Sequence, residues 1–233
     1  MDREYSSATV IGEAAEDRSA FLRRVASWTL GGLLLSSLVA IASMLFVVPF
    51  VLRGGTWAIL GVVYGSFILT QTVARGMVYG DAKVAGFVLG TSMQGIALGF
   101  LLAITLMMGR IEDGLGVIGY ALTMTVLAVL AMMVYVSMEK REFSLIRAGL
   151  TMLFIPMLVL MGLQLVFPMD GTLGLVIGGV FLLVSVAGML WKLNVVAYQM
   201  PDTMAIEGGF EIALGVIVLF WNLLSFMNRF RRR

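Results

Sequence analysis

The stretch ASWTLGGLLLSSLVAIASMLFVVPFVL, residues 26–52, contains no charged side chain. A helix needs about 20 apolar residues to cross the roughly 30 Å hydrocarbon core of a bilayer. This stretch exceeds that length, and it is bounded by Arg24 on one side and Arg53 on the other. It is too long for the core of a signal peptide, and no small-residue cleavage pattern ends it. We therefore expect a transmembrane helix, preceded by a polar amino-terminal tail at residues 1–25.

Further apolar segments of similar length follow along the chain, separated by short charged or glycine-containing breaks. The predicted spans are 26–52, 57–74, 84–108, 115–138, 148–167, 172–199 and 212–230. Because no loop is long enough to hold a soluble domain, we assign residues 26–233 to one membrane domain. The predicted fold class is an all-α polytopic membrane protein, a seven-transmembrane-helix bundle.

The composition supports a membrane protein and removes several kinds of chemistry. The chain is 60% hydrophobic and only 13% charged, whereas soluble domains carry about 25% charged residues. It has no cysteine and no histidine, which excludes disulfides, thiolate nucleophiles and imidazole catalysis. We expect no enzyme activity, no cofactor and no metal site of the zinc type. The basic residues flank apolar segments as membrane anchors do, so the expected partner is the lipid bilayer and not nucleic acid.

The basic residues also predict an orientation. With the amino terminus inside and seven spans, 10 basic residues lie inside and 6 outside, which favours that orientation. The four arginines at residues 229–233 oppose it, because seven spans place them outside. A re-entrant late segment would bring both termini inside, and the last segment is the best candidate for one. The side of the carboxyl terminus stays open.

Small residues four positions apart indicate closely packed helices, because glycines let helix backbones approach each other in lipid. The glycine pairs with this spacing are Gly61 and Gly65, Gly86 and Gly90, Gly95 and Gly99, and Gly174 and Gly178. We interpret them as packing positions and not as a site.

Polar side chains at membrane depth are the candidate functional residues. Asn222 lies in the last span and must find a hydrogen-bond partner, either on another helix or as a ligand in an ion path. Lys192, Asn194 and Gln199 lie near the end of the sixth span, where they form either an interfacial belt or part of a polar pathway. Three further amides could line a wet crevice with nearby serines and threonines: Gln71, Gln94 and Gln164.

Three segments resemble the Bax inhibitor-1 family. FLRRVASWTLGGLLLSS, residues 21–37, is similar to the start of the family's first helix. MEKREFSLIRAGLTMLFIPMLVLMGLQLVF, residues 138–167, is similar to its Lys-Arg-Asp-Phe-Ser motif and the apolar run after it, with Glu142 at the aspartate position. FWNLLSFMNRFRRR, residues 220–233, is similar to the family's last helix and basic tail. The resemblance implies six helices around a central seventh and a pH-sensitive calcium leak, with some bacterial members associated with a membrane-bound AAA protease.

The same resemblance implies a pair of aspartates, one on the sixth helix and one on the seventh. When Asn222 and Gln199 anchor the two motifs, the aspartate positions are occupied by Leu219 and Ala197, which cannot bind calcium. Glu207 and Glu211, expected in the loop before the last helix, could substitute only if that loop folds inward.

Two functions follow from this reading. The first is a calcium or other cation leak with a degenerate di-aspartate site. The alternative is a non-conducting accessory or regulatory subunit that binds a membrane protein partner. Short loops and the absence of a eukaryotic targeting feature favour the bacterial plasma (inner) membrane as its location.

Overall fold

A computed structural model describes the backbone of residues 2–108, 110–138 and 171–231, and side chains from Arg18 onward in those ranges. The predicted span at 148–167 and the motif at 138–167 fall almost entirely outside the described residues. Everything described is helix, turn or coil, with no strand in these ranges.

Six of the described helices are long and apolar enough to cross a membrane. They are α1 (Arg18–Leu52), α2 (Gly55–Val78), α3 (Lys83–Met107), α4 (Ile111–Met138), α5 (Thr172–Gln199) and α6 (Ala205–Arg231). These correspond to the first four, the sixth and the seventh predicted spans. The multi-pass helical architecture is confirmed in the described part of the chain.

The helical backbone begins ahead of α1, because one continuous α-helix runs from Asp2 to Ala42. A π-helical turn at Ser43–Val47 and a short α-helix at Val48–Leu52 complete the span. The residues expected as a separate polar tail therefore continue the helix.

The start of α6 differs from the prediction. The sequence placed this span from residue 212 and left Glu207 and Glu211 in a preceding loop, but the helix begins at Ala205. Both carboxylates are buried and paired with basic side chains of other helices. Since pairing offsets the cost of burying charge, the helix extends two turns further than its hydropathy indicates.

Two helices occupy the centre of the described bundle. Helix α6 packs against all five of the other described helices, α1 to α5, as expected of a central last helix. Helix α3 is also central, because it packs against α1, α2, α4 and α6. The expectation of a single central helix is therefore only part of the arrangement.

Close backbone contacts join α1, α3 and α6. A Cβ atom at Gly95 of α3 would lie 2.6 Å from the carbonyl oxygen of Ser36, and one at Gly99 would lie 2.6 Å from that of Ala40. On α6, a Cβ at Gly209 would lie 2.4 Å from the Cβ of Trp28. These glycines let the backbones approach in a medium that provides no hydrophobic drive between helices.

The bundle has two distinct ends. The end that we call the polar end carries the following basic residues: Arg18, Arg75, Lys83 and Lys192. At the opposite end, Arg231 pairs with Asp113 at 3.4 Å and Asn228 donates to the Thr105 hydroxyl at 2.7 Å. Helix α6 thus runs from one end to the other without turning back, which removes the re-entrant alternative for this segment.

The contacts of α6 also fix the direction of its neighbours. Asp113, near the start of α4, and Gly174, near the start of α5, both lie beside the arginines at the end of α6. Helices α4 and α5 therefore run antiparallel to α6, so Met138 lies at the polar end and Thr172 at the opposite end.

We predict that Gly95→Ala lowers the free energy of unfolding by about 1–3 kcal/mol, because the new methyl group meets a backbone oxygen that cannot rotate away. The matched control is Gly61→Ala, where nothing lies within 4 Å and alanine is favoured in a helix by about 1 kcal/mol. Unfolding of both variants in detergent micelles, followed by circular dichroism, measures the difference. Equal stabilities would show that the α1–α3 contact is not tight.

Candidate functional site

Glu211, in the second turn of α6, is the centre of a charged cluster at the polar end. Its Oε1 lies 2.6 Å from Nη2 of Arg75, and its Oε2 lies 2.9 Å from Nζ of Lys192. The Lys192 ammonium also donates to the backbone oxygen of Glu211 at 3.3 Å. Since Arg75 lies near the end of α2 and Lys192 near the end of α5, this one carboxylate joins three helices.

Tyr79 adds a neutral donor to the same carboxylate. Its hydroxyl lies 3.3 Å from Oε1 of Glu211, and its ring lies 5.9 Å from the Arg75 guanidinium. Burial, assisted by the negative charge of Glu211, raises the pKa of Tyr79 to about 12. The phenol therefore stays protonated at neutral pH and donates its hydrogen to the carboxylate.

A second buried carboxylate lies one turn earlier on α6. Glu207 is 1% exposed, and its Oε1 lies 2.6 Å from Nζ of Lys83 at the start of α3. Its Oε2 has no hydrogen-bond partner in the part of the chain that the structure describes. The position in the first turn of a helix also favours a negative charge, because the helix dipole is positive there.

Arg18 holds the end of α5 against α1. A π-helical turn at Val195–Gln199 and an extended residue at Met200 end this helix. The Arg18 guanidinium donates to the backbone oxygens of Val196 at 2.7 Å, Ala197 at 3.1 Å and Met200 at 2.7 Å, and it also pairs with the carboxylate of Asp202. It thus satisfies carbonyl groups that a helix end leaves without intrahelical partners.

The other residues predicted near the end of α5 divide between buried and exposed positions. Asn194 is buried, at 1% exposure, whereas Gln199 is exposed. Tyr198 is 45% exposed and donates to the backbone oxygen of Val136 at 2.8 Å. Of the six predicted site residues, the structure brings Lys192 and Glu211 into direct contact. Glu207 lies on the same face of α6 as Glu211.

Asn222 lies apart from this cluster, deeper in the bundle. Its Nδ2 donates to the hydroxyl of Ser185 on α5 at 2.6 Å and to the backbone oxygen of Val218 at 3.0 Å. This is the geometry of a hydrogen bond between two helices, the first of the two interpretations given for this residue.

The two positions where the resemblance implies aspartates carry apolar side chains that pack in one hydrophobic cluster. Leu219 is 1% exposed and belongs to a cluster with Met132 and Met189. Ala197 packs against the same cluster. On α6, Glu207 and Glu211 lie two or more turns nearer the polar end than Leu219 does, whereas Ala197 itself lies near the polar end of α5.

The sequence analysis predicted Lys192 as a site residue but missed the other two cations of this cluster, Arg75 and Lys83. Hydropathy identifies these two residues only as the ends of apolar spans. A signal was available: Glu207 and Glu211 are four residues apart and so share a helix face. Both carboxylates lie at the start of the last span, at the same end of the bundle as Arg75, near the end of α2, and Lys83, at the start of α3.

The cluster as a whole is positively charged. Two carboxylates, Glu207 and Glu211, face three cations, Arg75, Lys83 and Lys192, which leaves a net charge of 2 × (−1) + 3 × (+1) = +1. Within the described residues no group of three acidic, cysteine or histidine side chains is arranged to hold a metal ion.

The sequence matches the family described as inhibitor of apoptosis-promoting Bax1 over residues 18–232. The match covers nearly the whole chain and begins at Arg18, the residue that holds the end of α5. The protein is a multi-pass membrane protein and belongs to the Bax inhibitor family. No curated protein matches it.

We predict that Glu211→Gln destabilises the protein by about 1–3 kcal/mol, because it leaves Arg75 and Lys192 facing each other without a balancing charge. The control is Asp113→Asn, which removes the exposed ion pair to Arg231 and should change stability by less than about 0.5 kcal/mol. Thermal unfolding in the same detergent compares the two. Equal effects would contradict the central role of Glu211.

Proposed function

We propose that this Bax inhibitor family member is a non-conducting membrane protein that serves as an accessory or regulatory subunit of a larger membrane assembly. The observation that supports this proposal is that Glu211 is already neutralised by cations of the protein itself, Lys192 at 2.9 Å and Arg75 at 2.6 Å. In the proposal the protein has no catalytic role, and its location is the bacterial plasma (inner) membrane.

The chemistry of calcium explains why these contacts argue against a leak through this cluster. Calcium binds six to eight oxygen ligands and prefers carboxylates. Both oxygens of Glu211 already accept hydrogens from charged donors, and Tyr79 donates a third. A calcium ion would have to displace two cations from a site whose net charge is already positive, so Coulomb repulsion opposes its entry.

The helical segment ahead of α1, residues 2–17, supports a role in binding a partner. The helical backbone continues for 16 residues ahead of Arg18, which at 1.5 Å per residue is about 24 Å. Residues 2–17 contain five acidic residues and one basic residue, and they lie outside the family match. An acidic helical extension of this kind suits a partner with a basic surface near the polar end.

The calcium leak stays as the second function, because the family resemblance implies it. It requires that the Arg75–Glu211 and Lys192–Glu211 pairs separate to expose the carboxylate. The experiment below distinguishes it from the proposal.

We predict that proteoliposomes containing the protein and a calcium dye show no calcium entry above empty liposomes at pH 6 or at pH 8.

Lys192→Glu places a second carboxylate beside Glu211, and in this variant we expect calcium to raise the melting temperature, since two carboxylates form a site for a divalent ion. Lys192→Met is the matched control, because it removes the ammonium without adding a carboxylate and should give no calcium response.

A leak of the unmodified protein above the baseline, at either pH, would overturn the proposal in favour of the cation channel.

The subunit role has a separate test in native membranes. Purification in mild detergent should retain a stoichiometric partner, detected by native mass spectrometry, and deletion of residues 2–17 should release it. A chain that purifies alone under these conditions would contradict the subunit role.

A further inference from the structure

Gln94 has an amide group that the rest of the described protein leaves unsatisfied. It lies near the middle of α3 (Lys83–Met107) and is 1% exposed. Neither its Nε2 nor its Oε1 has a hydrogen-bond partner among the described residues. Burying an amide without partners is costly, and buried polar groups in folded proteins are nearly always paired with protein or with ordered water.

The contacts of α3 locate this amide where the central helices meet. On α2, Thr70 contacts the backbone oxygen of Gly90 at 3.4 Å, and since α2 and α3 are antiparallel, Ser66 comes level with Gln94 one turn further on. On the other side, the neighbouring Gly95 approaches the backbone of Ser36 on α1.

Two contacts between α3 and α6 show which residue of α6 lies level with Gln94. Phe87 lies beside Phe210, with ring centroids 6.2 Å apart, and Thr105 is bonded to Asn228. Helices α3 and α6 therefore run parallel in a constant register, which brings Gln94 level with the buried Ile217.

Two hydroxyl groups near this level, those of Ser66 and Thr91, can accept a hydrogen bond but already donate their own hydrogen. Ser66 donates to the backbone oxygen of Val62 at 2.7 Å, and Thr91 donates to that of Phe87 at 2.7 Å. A hydroxyl has one hydrogen and two acceptor lone pairs, so each oxygen can still accept a bond. The Gln94 amide could donate to such oxygens, but its own oxygen would find no donor among them.

We propose that Gln94 is a binding site for internal water at the centre of the bundle. A water molecule both donates and accepts, so it can give a hydrogen to Oε1 of Gln94 while accepting from Nε2 or donating to the Ser66 oxygen. Buried waters typically make about three such bonds to groups that lack protein partners. Water fits this amide, because the amide is neutral and needs a donor and an acceptor at once.

Apolar layers separate this site from both ends of the bundle. Towards the polar end lies a buried cluster that includes Phe87, Phe210 and Leu214. Towards the opposite end lies a second cluster, which includes Leu98 and Phe220. The bound water is therefore expected to be held and to exchange slowly with bulk solvent.

The test uses selective ¹⁵N labelling of glutamine in lipid nanodiscs. The chain has four glutamines, Gln71, Gln94, Gln164 and Gln199, so the Gln94 side-chain amide is assigned by its loss in Gln94→Met. We expect a nuclear Overhauser cross-peak between this amide and water. We also expect its exchange with deuterium to be at least about tenfold slower than that of the exposed Gln199, because solvent reaches a buried group only through opening.

A second pair of variants leaves Gln94 in place, so that its amide signal is still observed, and tests whether water links this amide to Ser66. Ser66→Ala removes the proposed acceptor and should weaken the water cross-peak of Gln94, whereas Ser185→Ala, at the separate Asn222 contact, should leave it unchanged. An observed Gln94 amide without a water cross-peak would overturn the proposal. Exchange as fast as that of Gln199 would also overturn it, because the amide would then be open to bulk solvent.

Discussion

The contact of backbone against backbone between α1, α3 and α6 is the constraint on which the rest of this structure depends. In lipid, helices gain nothing from burying apolar side chains against each other, so close van der Waals packing must hold them together. Gly95 and Gly99 bring α3 against α1, and Gly209 brings α6 against Trp28. Because Gly209 lies between Glu207 and Glu211, the packing contact also fixes where the two buried carboxylates meet their cations.

The charged cluster shows how a protein's own side chains determine what a buried carboxylate can bind. A pair of carboxylates facing each other attracts divalent cations or protons. Here the helix that precedes α6 contributes Lys192, whose ammonium occupies the space beside Glu211 as a covalently attached cation. Both oxygens of Glu211 are paired in this way, and family membership alone does not define the activity of such a protein.

Hydropathy and spacing predicted much of the fold and little of the site. Residue-by-residue apolarity predicted the six described spans, and the four-residue glycine spacing correctly indicated close packing around Gly95 and Gly99 but also selected Gly61, which faces open space. The predicted start of α6 was wrong, because the cost of burying Glu207 and Glu211 is offset by basic side chains that are distant in sequence. Local sequence does not specify such pairings; only the folded arrangement of helices does.

The guanidinium of Arg18 has a mechanical consequence. It is bonded at once to three carbonyl oxygens at the end of α5 and to Asp202 in the turn before α6. Those bonds share one rigid planar group, so they cannot lengthen one at a time; tilting α5 away from α1 strains all of them together. The end of α5, the turn and the start of the first helix are therefore held together as one rigid unit.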